Sequence, residues 1–268
     1  MSTHNPWPDH DLPIHSEKHY DAPSVFDVAN LMREARRQKR LPNGLIPPIC
    51  VLDPDGDLVD YLHASGQSQA HTAWACYHST LDVFRLNGAE IGIIGRAVGA
   101  AFAVLIAEEL FVSGCELLIS ITSAGQITPL GQPPYFVLIE RALRDEGTSY
   151  HYLPPAAYSV LQPALREQLL TSWDQQQVPL HIGASWTTDA PFRETEAMIA
   201  RCRAAGIATV EMEASALYAL ATAKGYPIIC FAHVTNTMAT DGDDFEKGPD
   251  QGSHAILTVI AETARLLR

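Results

Sequence analysis

The chain has 268 residues, with 31 acidic and 18 basic side chains and a formal net charge of −13. That balance argues against a nucleic-acid or anionic-membrane partner, though a local basic pocket could still hold an anion. The hydrophobic share of 47% fits one large folded domain. No apolar run is long enough to span a bilayer, and Met1 to His19 lacks the basic start and apolar core of a signal peptide, so a cytoplasmic protein is expected.

In chain order, residues 1–23 read as a flexible arm and 24–268 as one domain. A helix is expected over 25–39, with a basic end that Pro42-Asn43-Gly44 breaks. A short strand, 49–52, runs into Asp53-Pro54-Asp55-Gly56-Asp57, which reads as a turn because it lacks the rest of a calcium loop. Strands at 84–86 and 91–94 bracket Asn87-Gly88, the strongest short hairpin signal. The small-residue loop Gly95-Arg96-Ala97-Val98-Gly99 then opens an apolar helix, 101–112, an arrangement whose N–H groups can meet an anion or a sugar.

A buried strand at 116–121 ends on Thr122-Ser123-Ala124-Gly125, and a strand at 136–140 leads into a loop over 141–155. A helix over 163–175 precedes a strand, 181–184, that ends on polar residues 185–189. Helices at 197–204 and 255–267 frame the last third of the chain. The alternation predicts an α/β fold, with a mixed central sheet flanked by helices and loops converging at one end. Five scattered cysteines (Cys50, Cys76, Cys115, Cys202, Cys230) without CxxC spacing read as reduced packing thiols.

The most informative stretch is Val210-Glu211-Met212-Glu213-Ala214-Ser215-Ala216-Leu217-Tyr218. It reads as two carboxylates at the head of an apolar helix that Gly225 closes. Spaced two apart, Glu211 and Glu213 would diverge on a helix, and the pair also fits an acidic first turn that favours the dipole. The next strand, 228–234, ends on Thr235-Asn236-Thr237, polar groups at a carboxyl end where open α/β sheets bind ligands.

Taken together, VEMEASALYALATAKG, ITSAGQI, GRAVGAAFAVLIAEEL and the terminal SHAILTVIAETARLL resemble the nucleoside phosphorylase family of the purine and uridine type, which shares its fold with methylthioadenosine and AMP nucleosidases. The resemblance implies a single domain with a distorted, barrel-like mixed sheet. It implies cleavage of an N-glycosidic bond through an oxocarbenium-like transition state, with phosphate as the family's usual acceptor. By that likeness Glu213 holds the sugar hydroxyls, Met212 packs under the ring, Glu211 lies beside them, and Asp27 stands where a partner subunit's residue meets the sugar's far end. Trp186, Asp189, Phe192, Arg193 and Asn236 fall where the family builds its base pocket, and Ser123 and Gly125 face the acceptor; Arg96, which has no counterpart in the family, reads either as a relocated phosphate ligand or as a surface residue at the helix start.

This sequence departs from the family pattern in two places. Asn236 stands where purine-cleaving members carry an acid, and an amide donates a hydrogen bond but is no acid. The family's phosphate-binding glycine is replaced by Pro54 and its phosphate arginines by Leu58, Tyr77 or His78, and Ser120, although a dianion needs cationic or amide donors. Asp241, Asp243 and Asp244 are an alternative source of acid. Hydrolysis, nucleotide N-glycosidase activity and non-catalytic nucleoside binding therefore stay open beside phosphorolysis. No metal or organic cofactor is implied, since the histidines show no ligand spacing. A homo-oligomer is expected, as a dimer, trimer or hexamer.

Overall fold

The computed structural model describes residues 13–15, 18–238 and 245–267. Most of the expected arm and the acidic residues Asp241, Asp243 and Asp244 lie outside the described residues.

The chain begins with α1 (Val28–Lys39), then β1 (Ile49–Asp53), α2 (Asp57–Ala64), β2 (Ser68–Ala70), β3 (Asp82–Leu86) and β4 (Ala89–Gly95). Asn87 and Gly88 both take positive φ, 49° and 82°, the geometry a tight β3–β4 hairpin needs. Next come α3 (Ala100–Val112), β5 (Leu117–Gln126), β6 (Tyr135–Asp145), β7 (Tyr158–Val160), α4 (Pro163–Thr171) and β8 (Leu180–Thr188). The chain closes with α5 (Glu196–Ala204), β9 (Ile207–Glu211), α6 (Ala214–Lys224), β10 (Ile228–Asn236) and α7 (Ser253–Leu266).

Five of the strands close on themselves. β10 pairs with both β5 and β6, β6 with β8, β8 with β9, and β9 with β5. The rest of the sheet extends from β5 through β1, β4, β3 and β2. The result is the single α/β domain with a barrel-like mixed sheet expected from the sequence.

Burial explains why these segments lack a clean alternation. β1, β9 and β10 are buried along their whole length, as strands covered on both faces must be. α6 is buried from Ala214 through Ala221, so its small and apolar residues run all round the helix. The Tyr218 hydroxyl donates to the Ile139 carbonyl at 2.6 Å and accepts from the Cys230 amide at 3.1 Å, pinning α6 to β6 and β10. All five cysteines are buried and free.

Three sequence expectations are corrected. The acidic turn at 53–57 leads directly into α2, whose Leu58, Val59 and Leu62 are buried. The loop expected over 141–155 is largely strand, because β6 continues to Asp145 and pairs with β7 and β8. Val210 and Glu211 end a strand instead of opening a helix, and α6 begins only at Ala214.

Candidate active site

The carboxyl ends of β5, β8, β9 and β10 meet at the head of α6. Glu211, the last residue of β9, is 4% exposed. Its Oε1 accepts the Thr187 hydroxyl at 2.6 Å and the Ser185 hydroxyl at 3.1 Å, both from β8. Its Oε2 accepts the backbone N–H groups of Glu213 and Ala214, each at 2.7 Å. Glu211 thus satisfies two amides that the first turn of α6 leaves without helical partners, and a negative charge there interacts favourably with the helix dipole. Its role is to hold the turn that carries Glu213.

Glu213 is 1% exposed. Its Oε1 accepts the Gly99 N–H at 2.7 Å, the amide just ahead of α3. Gly99 has φ 88°, a backbone that favours glycine, and this geometry directs its N–H at the carboxylate. The second oxygen, Oε2, is buried and without a hydrogen-bond partner. Burial, then the neighbouring Glu211, pushes the Glu213 pKa up to about 8, against the pull of the Gly99 amide and the nearby Thr122 hydroxyl. Burial raises the Glu211 carboxyl as well, against the pull of its four donors.

A second group gathers at the ends of β5 and β10. Asn236 is paired in register with Gly125, just past an irregularity in β10. Asn236 Oδ1 accepts the Met238 N–H at 3.0 Å, and its amide nitrogen lies 3.3 Å from the Thr235 hydroxyl. A Cβ at Gly125 would stand 2.4 Å from Met238 Sδ and 3.1 Å from Val210, so a side chain here would displace the Met238 thioether. Trp186 belongs to this wall. It is 2% exposed, packs with Val210, Ile127 and Cys202, and donates its indole N–H to Asp145 at 2.9 Å.

The other expected base-pocket residues are not gathered here. Phe192 is 98% exposed, Arg193 is exposed beside it on a short 3-10 turn, and Asp189 accepts the Gly147 N–H at 2.8 Å. Asp27 is exposed and caps α1, accepting the Asn30 N–H at 2.9 Å.

At the end of β5 expected to face the acceptor, the Ser123 N–H is taken by the carboxylate of Asp55 at 2.8 Å. Lys247 approaches the same loop, with its ammonium 3.7 Å from Asp55 and in direct contact with Asp57. Behind them His233 stacks on Phe136 at 4.5 Å, and burial together with Lys247 lowers its pKa to about 4, so it is neutral. Arg96 packs over Gly56 in the same acidic loop, its backbone N–H donates to the Asp53 carbonyl at 2.9 Å, and its exposed guanidinium is bound by both oxygens of Asp60 at 2.8 and 2.6 Å. Lys247 and Asp55 were missed in the sequence. A usable signal was present, since Lys247 is the sole lysine or arginine between Lys224 and Arg265.

Residues 48–265 match the family model of the phosphorylase superfamily. The chain belongs to that superfamily.

Among curated relatives of this phosphorylase superfamily member, the guanosine phosphorylase of Halorubrum lacusprofundi is 27% identical over 192 residues, covering 66% of this chain and 78% of that protein. The uridine phosphorylase of Thermococcus kodakarensis is 24% identical over 196 residues, covering 68% and 69%. The fold agrees with solved structures. A Toxoplasma gondii purine nucleoside phosphorylase superposes with a TM-score of 0.69 at 16% identity, covering 83% of this chain and 91% of that one. A Vibrio fischeri uridine phosphorylase gives 0.67 at 20% identity, covering 82% and 93%. Membership makes the superfamily chain a glycosyl-transferring enzyme of the nucleoside phosphorylase kind. Among the described residues no helix is long and apolar enough to cross a membrane, and no cluster of three or more His, Cys, Asp or Glu side chains is placed to hold a metal ion.

Proposed function

We propose that this protein cleaves the N-glycosidic bond of a nucleoside, with Glu213 as the group that binds the ribose hydroxyls. The observation that carries this reading is the buried, unpartnered Oε2 of Glu213. A buried polar oxygen without a partner costs about 1–3 kcal/mol, and a sugar hydroxyl, which both donates and accepts, would supply the partner. As positive charge grows on the ring, an anionic carboxylate on those hydroxyls favours the transition state over the ground state. Met212, half-buried between the two glutamates, is the apolar floor of the sugar site in this reading.

Asn236, Gly125 and the Trp186 wall form the base side. The Asn236 amide both donates and accepts, which suits a ring carbonyl or ring N–H but supplies no acid. The named activities of the relatives cover a purine and a pyrimidine nucleoside. The same reading has the protein working in the cytoplasm as a homo-oligomer. Support for the homo-oligomer comes from the exposed Val25 and Phe26, just ahead of Asp27, apolar side chains that a second copy would cover.

The test is incubation with guanosine, inosine, adenosine, uridine and thymidine, followed by chromatography for free base. Release of a base by the wild-type protein, and its loss in Glu213→Gln, is the expected result. Thermal stabilisation by these nucleosides without any base release would instead mark a nucleoside-binding protein.

A further inference from the structure

Resting on that reading of the sugar site, we infer that Glu146, just past the end of β6, is a positioning residue for the glycosidic reaction. It locks the head of α6, and with it Glu213, through the Ser215 hydroxyl. The turn that carries Glu213 is held from three strands, β9, β8 and β6. From β9, Glu211 takes the N–H groups of Glu213 and Ala214. From β8, the Thr187 hydroxyl accepts the Ser215 N–H at 3.0 Å and donates to Glu211 at 2.6 Å. These are amides that a helix start leaves without backbone partners. Beyond β6, Glu146 Oε1 accepts the Ser215 hydroxyl at 2.9 Å. Ser215 is 0% exposed and Glu146 6%, so neither has solvent as a substitute for the other.

Glu146 is fixed on its other side as well. Its Oε2 accepts the N–H groups of Thr148 and Ser149 at 2.6 and 2.9 Å. Arg144, whose charge interacts with that of Glu146, donates to the Ser149 hydroxyl at 2.8 Å and to the Leu153 and Pro154 carbonyls at 3.1 and 2.8 Å. A buried carboxylate bonded through both oxygens is held in one place, and that place sets where Ser215 lies. The neighbours of Glu146 reach the base side. Asp145 takes the Trp186 indole N–H at 2.9 Å, and Gly147 donates its N–H to Asp189 at 2.8 Å. Consecutive residues at one strand end thus tie the Trp186 wall, the helix that carries Glu213 and the exit of β8 to each other. The consequence for chemistry is distance, because a misplacement of about 1 Å can cost about a hundredfold in rate. Glu146 acts through Ser215 and needs no contact with the reacting atoms.

The experiment measures kcat and KM for base release, with melting curves, in the wild type, Ser215→Ala, Glu146→Ala, Glu146→Gln and the double variant Glu146→Ala/Ser215→Ala. Alanine suits the first turn of a helix, and Ser215→Ala keeps the backbone bond to Thr187, so this variant should fold. Its kcat should fall by about tenfold to a hundredfold with KM little changed, the mark of an interaction used in the transition state. Glu146→Gln keeps an oxygen for the two amides and can donate its own amide to the Ser215 oxygen, so it should be faster than Glu146→Ala. The double variant should be no slower than the slower single one, because the two residues form one link. If Glu146→Ala does not fold, Ser215→Ala decides by its kcat alone. Losses that multiply in the double variant, or a wild-type kcat in variants that merely melt earlier, would reduce Glu146 to a structural role and overturn the inference. No base release by the wild type would overturn the glycosidic reading on which it rests, a failure seen before any substitution is made.

Discussion

Glu211 Oε2 accepts the backbone N–H of Glu213 at 2.7 Å, so one carboxylate of the pair builds the turn from which the other acts. Replacing Glu211 by Gln turns one acceptor into a donor facing either two amides or two hydroxyls. We expect Glu211→Gln to lose about 3–5 kcal/mol of stability, the range for breaking a buried, fully bonded charge. Urea unfolding monitored by circular dichroism reads this directly.

Glu213→Gln should behave differently. The Gln carbonyl can still accept the Gly99 N–H, so the fold should survive with little change in melting temperature. The variant has no negative charge to set against a developing oxocarbenium ion. Its kcat should fall by about 10²–10³, comparable to removing one preorganised electrostatic group. A variant with unchanged kcat would remove Glu213 from the mechanism.

The pH dependence follows from the same group. The Glu213 pKa rises from 4.5 unfolded to about 8 folded, and burial raises Asp53 from 3.8 to about 6. Both bind their proton more tightly when folded. Their contribution to stability is therefore full below the unfolded values and is lost as pH rises through about 6 and then about 8. Catalysis by anionic Glu213 runs the other way, with kcat/KM rising over the upper part of that window. Melting temperature and rate measured across it should move in opposite directions, and Glu213→Gln should flatten the upper step of both.

Much of the architecture was legible because it rests on local chemistry. Asn87-Gly88 marked its hairpin, and the uniformly apolar run of α3 was placed to within one residue, at 101–112 against Ala100–Val112. The pairing of Glu213 with the glycine loop is a contact across more than a hundred residues, and no local pattern marks it. Glu211 was misplaced because a fully buried strand end has no alternation to betray it, and the small apolar residues that follow extend the helical pattern backwards. Lys247 and Asp55 stayed hidden for a related reason. Each reads alone as a solvated charge, and only the fold brings the residue after β10 onto the loop after β1. Phe192 and Arg193 had suitable chemistry for a base pocket, but their short turn projects away from the core.

Asn236→Asp tests the base side. Oδ1 would keep the Met238 N–H, but the other oxygen would face the Ala124 carbonyl, 3.5 Å from the present amide nitrogen. Burial against a carbonyl favours the protonated acid. The variant should therefore gain activity toward purine nucleosides relative to pyrimidine nucleosides, read as a ratio of kcat/KM values.

Arg96→Ala serves as a control. Its partner Asp60 is 61% exposed, and such surface pairs contribute about 0–1 kcal/mol. Stability and base release should both stay near wild type. A large rise in KM for any phosphate-bearing substrate would restore Arg96 as an anion ligand.

Ser123 and Gly125 lie two residues apart on one continuous strand, β5. A strand advances about 3.3 Å per residue, so their separation is about 6.6 Å along the chain. Reacting atoms approach to about 3–3.5 Å, so a carbon midway between acceptor and base meets each at reacting distance. The pleat of β5 thus serves as a ruler for the displacement. Inserting a single residue between these two positions would stretch that span and also shift Gly125 out of register with Val210 and Asn236, turning the rest of the strand to its opposite face.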